Sequence, residues 1–363
     1  MTFEFINMFV HLHTHSHYSL LDGLAKLDDL IAKAKAENMP ALALTDHGVM
    51  YGVVEFYQKC RAAGIKPILG VEAYLARNGR HNKRARIDER PYHLILLAKN
   101  KTGYQNLIKI TSIAHLEGFY YKPRIDWEVL EKYHEGLIAL SACIQGEIPA
   151  SVLNGDLEKT KELILKYQNL FGPGNFFLEL QHHPSSQEQG TINRELINFS
   201  KKLGVPLVAT NDIHYLNSED AEAQDVLLCL QTKRKITDKD RMCMLGEDYS
   251  MRSTARMKED FKEVPEAIAN TLKVAEMCNV ELELGKIMLP YFEVPGGKTA
   301  NEYLRELCEK GLEKRYGVIK MDGEFKMKDG ASAGAGEVDI KKLLKDWITN
   351  CRLLIKPVLL RIF

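Results

Sequence analysis

Short apolar runs recur along the first 210 positions, at 10–12, 41–44, 67–71, 94–97, 137–140, 176–180 and 206–209. Most are separated by stretches whose apolar residues return at helical spacing. These are 27–38, with Leu27, Leu30, Ile31 and Ala34 on one face, then 52–63, 102–115, 157–171 and 188–203. Strand alternating with helix predicts a parallel sheet, closed or doubly wound. Gly64 and Gly204 stand where two of the helices should stop. The basic run 77–90, RNGRHNKRARIDER, has no apolar face and predicts a surface loop. After about residue 230 the rhythm changes to longer amphipathic segments, at 265–278 and 299–316, so a second structural unit is expected to begin there. The Gly- and Ala-rich stretch 327–339 reads as a linker.

Composition changes this picture little. The chain has 363 residues, enough for about two cores. Lysine plus arginine number 49 and aspartate plus glutamate 49, so no overall charge points to nucleic acid, and any such contact must be local. Seven cysteines without a CxxC pair read as thiols in a reducing cytoplasm. No basic, then apolar leader opens the sequence and no run reaches the length of a membrane span, which points away from secretion and membrane insertion.

The first strand runs into HLHTHSHYSLLDG, where His11, His13, His15 and His17 alternate and Asp22 follows. Alternate residues of an extended chain share a face, so His13 and His15 can project toward one cation. Thr45-Asp46-His47-Gly48 follows the second strand, Glu72 the third, and Thr210-Asn211-Asp212-Ile213-His214-Tyr215 the seventh. One HxH alone is commonly a pair of surface histidines. Four clusters at the carboxyl edge of a sheet, where α/β folds assemble their sites, are not explained that way. Imidazole with carboxylate suits zinc, manganese or iron, and so many donors exceed the three of a single catalytic zinc. Two or three adjacent ions serve phosphate ester hydrolysis. His11 and His17 are expected in structural or supporting roles. The pair His182-His183 after the sixth strand is open between the site and a surface loop.

The order HxH…D, DHG, E, H, C and DxH resembles the PHP (polymerase and histidinol phosphatase) family. The resemblance implies metal ligands at His13, His15, Asp22, His47, Glu72, His93, Cys143, Asp212 and His214. It groups His13, His15, Glu72 and Asp212 around one ion, Glu72, His93 and Cys143 around a second, and Asp22, His47 and His214 around a third. It also implies two or three divalent transition metals (Zn²⁺, Mn²⁺ or Fe²⁺), with Asp22, His47 and Glu72 as catalytic residues. Read without it, His93 merely opens a strand and Cys143 beside an apolar strand is core packing.

Within the family the likeness is greatest to the alpha subunits of bacterial DNA polymerase III, over about residues 9–317. FVHLHTHSHYSLLDGLAK, ALALTDHGVMYGVVEFY and VATNDIHYLNSEDAEAQDVLLCL carry it, and LPYFEVPGGKTANEYLRELCEKGLEKRYG extends it past the site. It implies a distorted (β/α)7 barrel over 9–285, then a mostly helical lead-in to a polymerase palm over 286–317. The activity implied is a 3′–5′ exonuclease acting on DNA 3′ ends. The full-length relatives would be DNA-directed DNA polymerases working with a sliding clamp and clamp loader. A small phosphate ester or pyrophosphate hydrolase and an inactive, metal-stabilised platform are the competing readings.

The tail 344–363, LKDWITNCRLLIKPVLLRIF, departs from the family. Shifting the reading frame with allowed codons spells ERLDYELSVIDKTGFASYF, which resembles the start of a palm. The expectation is therefore a linker and a frameshifted tail over 318–363. The palm's acidic residues would lie beyond it, so polymerisation is not expected of this chain by itself.

Overall fold

The computed structural model describes residues 8–286, 292–321, 324–327 and 345. They divide into two compact units between Glu281 and Leu282.

Seven strands make the sheet of the first unit: β1 (Ala41–Leu44), β2 (Lys66–Leu75), β3 (Tyr92–Ala98), β4 (Arg124–Ile125), β5 (Leu137–Leu140), β6 (Phe176–Gln181) and β7 (Leu207–Thr210). Their order is β1-β2-β3-β5-β6-β7, with β4 paired to the end of β2. The β1–β2, β5–β6 and β6–β7 pairs are parallel. β3 runs antiparallel to both its neighbours, which corrects the expectation of a parallel sheet. The reason lies in the preceding segment. A parallel return needs a crossover, usually a helix, and 76–91 contains none, so β3 leaves from the edge at which β2 arrives.

The expected first strand is an extended segment without regular pairing. On one side the carbonyls of His11 and Thr14 accept from the amides of Ala43 and Thr45. On the other, Ile213 accepts from the His15 amide and donates to the His13 carbonyl. This segment thus joins β1 to the residues after β7 and curls the sheet into a distorted barrel.

Ten helices surround it among the described residues: α1 (Leu27–Ala36), α2 (Val53–Ala63), α3 (Lys101–Leu116), α4 (Trp127–Tyr133), α5 (Glu147–Leu153), α6 (Leu157–Phe171), α7 (Gln187–Leu203), α8 (Ala221–Thr232), α9 (Thr254–Asp260) and α10 (Pro265–Met277). The side chains of Asn100, Asp126, Asp156 and Ser186 accept backbone amides at the starts of α3, α4, α6 and α7. Alternate residues fill the interior, including Ala41 and Ala43, Ile95 and Leu97, and Ile138 and Leu140. α10 seals the opposite end from the candidate site. Its Val274 and Ala275 join that core, Asn270 Nδ2 donates to the Leu207 carbonyl, and Thr271 Oγ1 accepts from the Val10 amide. α9 and α10, which follow residue 230, therefore complete the first unit, contrary to the expected boundary there.

The basic run 77–90 is a loop, as expected, but a tied one. Arg124, fully buried, donates to the carbonyls of Gly118, Asp88, Arg80 and Asn82. Arg80 in turn pairs with Asp126, Glu117 and Glu128.

The second unit holds α11 (Ala300–Tyr316), opened by a Thr299–Glu302 capping box and closed by left-handed Gly317. The antiparallel ribbon β8 (Val318–Met321) and β9 (Glu324–Met327) follows. Residues 318–321 and 324–327, expected within a linker, are thus ordered strands. The rest of the expected linker and, apart from Lys345, the tail 344–363 lie outside the described residues.

Candidate metal centre

All nine residues implied as ligands reach the carboxyl edge of the barrel. The extended segment brings His13 and His15, the loop after β1 brings His47, β2 supplies Glu72, and the loop after β7 supplies Asp212 and His214. His93 opens β3, and because β3 is inverted its first residues stand at this same edge, opposite Tyr74. Cys143 follows β5, and Asp22 ends the turn after the histidine run.

Glu72 is the centre of the cluster and fully buried. Its Oε1 lies 2.8 Å from His93 Nδ1 and 3.4 Å from His13 Nε2. Its Oε2 lies 2.6 Å from His47 Nδ1 and 3.3 Å from His15 Nε2. The Nε2 atoms of His13 and His15 are 3.1 Å apart and stand 3.1 and 3.2 Å from Asp212 Oδ1. Cys143 Sγ is 3.7 Å from His93 Nδ1. Asp22 lies 3.3 Å from His47 Nε2 and 3.7 Å from His214 Nε2. The His15 and His47 rings stack with centroids 4.0 Å apart. Three sets of donors converge closely enough to share an ion: His13, His15 and Asp212; His47, Glu72 and His93; His15, His47 and His214. His47 thus turns one nitrogen to Glu72 and the other to Asp22.

The donors fit cations better than they fit one another. Asp22 Oδ1, His47 Nδ1, Glu72 Oε2 and Asp212 Oδ1 are buried without hydrogen-bond partners. Glu72 Oε2 and His47 Nδ1 are in contact without hydrogen-bond geometry, an arrangement two ligands of one ion would adopt. Burial opposes ionisation of Glu72, but the rings of His93, His47 and His13 hold its carboxylate well below the usual range. Burial likewise works against a charged His47, yet Glu72 and Asp22 raise it to about 10. His15 is lowered to about 3 by burial and by the neighbouring His47 and His214. The imidazole, carboxylate and thiol set suits a transition metal.

Supporting residues fix these donors. Glu179, buried on β6, accepts from His13 Nδ1 at 2.7 Å, from Thr210 Oγ1 and from Gln181 Nε2. This is the carboxylate–histidine arrangement that orients metal-binding imidazoles. Sequence reasoning passed over Glu179, although an acid inside the apolar run FFLELQ was a visible signal. Asp46 Oδ1 accepts from the Ser16 amide and from Ser19 Oγ, and Ser19 Oγ lies 3.1 Å from His15 Nδ1. Leu21, Ala142 and Asp212 hold left-handed backbone conformations with φ of 60°, 62° and 50°. Each adjoins or is one of the candidate donors, so part of the chain's backbone strain lies where the donors are aimed.

His11 is buried, with Nε2 on the Arg252 carbonyl, and serves the structure. His17 is exposed outside the cluster. Of the 182–183 pair, His183 lines the cleft above the ligands, whereas His182 approaches Asp260 at 3.6 Å. That cleft encloses about 520 Å³. Besides candidate donors it is bordered by Tyr74, Arg90, Lys122, Gln189 and Tyr249.

Residues 11–183 match the PHP domain family. The DNA polymerase III subunit alpha of Borreliella burgdorferi is 47% identical over 316 residues, 86% of this chain and 27% of that protein. The corresponding subunit of Thermus aquaticus is 44% identical over 318 residues, 85% of this chain and 26% of that protein. The chain spans about a quarter of the length of these relatives. It therefore carries a PHP domain within a segment homologous to bacterial DNA polymerase III alpha subunits.

Proposed function

We propose that this chain, with the PHP domain at 9–285 and a lead-in at 286–317, is the phosphoesterase part of a DNA polymerase III alpha-type subunit, removing nucleotides from DNA 3′ ends. The observation that supports this reading is the Glu72-centred cluster, with its unpartnered buried donors, at the floor of an open cleft. His13, His15, Asp22, His47, Glu72, His93, Cys143, Asp212 and His214 would hold two or three Zn²⁺, Mn²⁺ or Fe²⁺ ions. Such ions, when bound, activate water and offset charge developing on phosphate oxygens.

The chain's own contribution is positioning. Glu72 places imidazoles on both its oxygens, Glu179 fixes the His13 ring, and the Asp46–Ser19 pair fixes His15. His183 faces the cleft with both ring nitrogens unpartnered, and burial lowers it to about 4. It is then neutral at physiological pH, with one N–H free to donate to a phosphate oxygen. In the full-length protein the clamp and clamp loader would be partners, and polymerisation would belong to other segments.

The test is release of nucleotide from a 3′-labelled primer by purified protein with Zn²⁺ or Mn²⁺. Asp22→Asn and His13→Ala serve as controls. Metal-dependent release lost in both variants supports the reading. Bound metal without release would favour a structural platform, and cleavage of small phosphate esters alone would favour the small-substrate reading.

A further inference from the structure

The cleft does not end at the metal donors. Lys122 borders it, and Lys122 belongs to the loop after α3, 117–123, with the sequence EGFYYKP. This loop is continuous with the candidate site. Pro123 packs so closely on Gly48 that a Cβ there would sit 2.7 Å from its ring, and Gly48 directly follows His47. His115 reaches the Gly48 carbonyl through Nε2, and its ring stacks with Phe119. Lys122 Nζ lies over the Tyr74 ring at 5.4 Å, and that ring stacks with His47.

The loop exposes what a folded protein normally hides. Tyr121 is 67% and Phe119 51% exposed, and Tyr51, three residues after Gly48, is 61% exposed. Tyr121 is held at φ 58° between the Tyr120 amide and the Lys122 carbonyl that it donates to. Lys122 and Arg90 both border the cleft, and neither side chain has a carboxylate partner among the described residues. Glu89 and Glu247, also in the walls, are the acidic residues there besides the ligands Asp22 and Asp212, and Glu89 accepts the Arg86 amide. Gln231 and Met242 also border the cleft, and the chain between them carries Lys233, Arg234, Lys235, Lys239 and Arg241 beside Asp238 and Asp240.

Aromatic faces exposed beside unpaired cations, along a cleft leading to a phosphoesterase site, are the elements of a single-strand grip. Bases stack on rings and the backbone is met by positive charge. A small phosphate ester would not need exposed rings beside the cleft. Resting on the function proposed above, we infer that Phe119, Tyr121, Lys122 and Arg90 bind the last nucleotides of a single DNA strand. They lead its 3′ end to the metal centre.

The test is fluorescence anisotropy of a 5′-fluorescein-labelled twelve-residue oligothymidylate with the full chain, in chelator so that no turnover occurs. Tyr121→Ala and Phe119→Ala are each expected to weaken binding about 5- to 100-fold. Tyr121→Phe, which keeps the ring, should bind as the parent does. Lys122→Ala should lower the slope of log affinity against log salt by about 0.7, one phosphate contact. Melting curves matching the parent show that the variants are folded. Unchanged affinity in both aromatic variants overturns the inference, as a surface made for a protein partner would give. Equal losses on single-stranded and blunt duplex DNA overturn it too. Nucleotide release by the parent chain is measured separately. Binding that depends on the aromatic residues without release keeps this inference and defeats the proposed activity, and release without that dependence does the reverse.

Discussion

Glu179 offers a sharp test of how the centre is built, because it touches no donor set directly except through His13. Its Oε1 accepts from His13 Nδ1 at 2.7 Å, from Gln181 Nε2 at 3.1 Å and from Thr210 Oγ1, all buried. Glu179→Gln retains an acceptor oxygen but removes the charge that fixes which His13 nitrogen carries the proton. Loss of such a partner typically lowers metal affinity about 10- to 100-fold, or ~1.4–2.7 kcal/mol. Glu179→Ala also strands three buried donors at about 1–3 kcal/mol each, so stability should fall by about 3–9 kcal/mol. Competition of Mn²⁺ against a fluorescent chelator gives the first quantity and denaturant unfolding the second. If both variants bind Mn²⁺ as tightly as the parent, His13 is not a ligand oriented from β6 and the proposed first metal group is wrong.

Arg124→Ala should cost about 3–5 kcal/mol, since four carbonyls lose a buried donor, and should open 77–90 to limited proteolysis before the rest of the chain. Gly23→Ala places a Cβ 2.2 Å from the Ser16 carbonyl, so the turn carrying Asp22 must shift. Metal affinity should fall with the helices intact by circular dichroism. His11 is lowered to about 4, chiefly by burial, against an ordinary value of 6.5. Its stabilising contribution is complete above 6.5 and is lost as pH falls toward 4, by up to ~3 kcal/mol, and His11→Gln should flatten that part of the unfolding-versus-pH curve. Because carboxylates raise His13 and His47, metal loading at neutral pH should release protons, read by calorimetry in buffers of differing ionisation heat. Affinity should strengthen as pH rises.

Period and placement made much of this fold legible. Short apolar runs located β1, β5 and β7, and helical spacing located α1, α2, α6 and α7 within a few residues. The DHG and NDIH turns were visible as donors because each follows a strand whose direction was read correctly, and the histidine run because its extended backbone puts alternate residues on one face. Strand direction itself is not written in residue period, and His93 shows the consequence. A donor at the start of a strand belongs at the far edge if the strand is parallel and in the centre if it is not. Glu179 escaped for a different reason. A buried acid is stabilised by partners from 13, 181 and 210, and no local window contains all three.

One inversion accounts for most of what distinguishes this cleft. With β3 reversed, its end at Ala98 lies at the sealed edge, where the Lys99 carbonyl meets the Asn279 amide that follows α10. α3 must then climb from the sealed edge to the open one, opposite to the helix of a parallel β–α unit. Its last turn arrives at Gly48, through His115, and delivers 117–123 to the cleft. The loop before β3 joins the same edge, because β2 also ends there, and it brings Arg90. The place of His93, the tied basic loop and the aromatic loop beside the cleft are therefore consequences of a single topological choice. It adds a donor to the centre and a platform beside it. Shortening 76–91 to a tight hairpin, which preserves β3 and His93, should then leave metal binding intact while weakening the hold on a single strand. Loss of both together would show that the loop supports the centre itself.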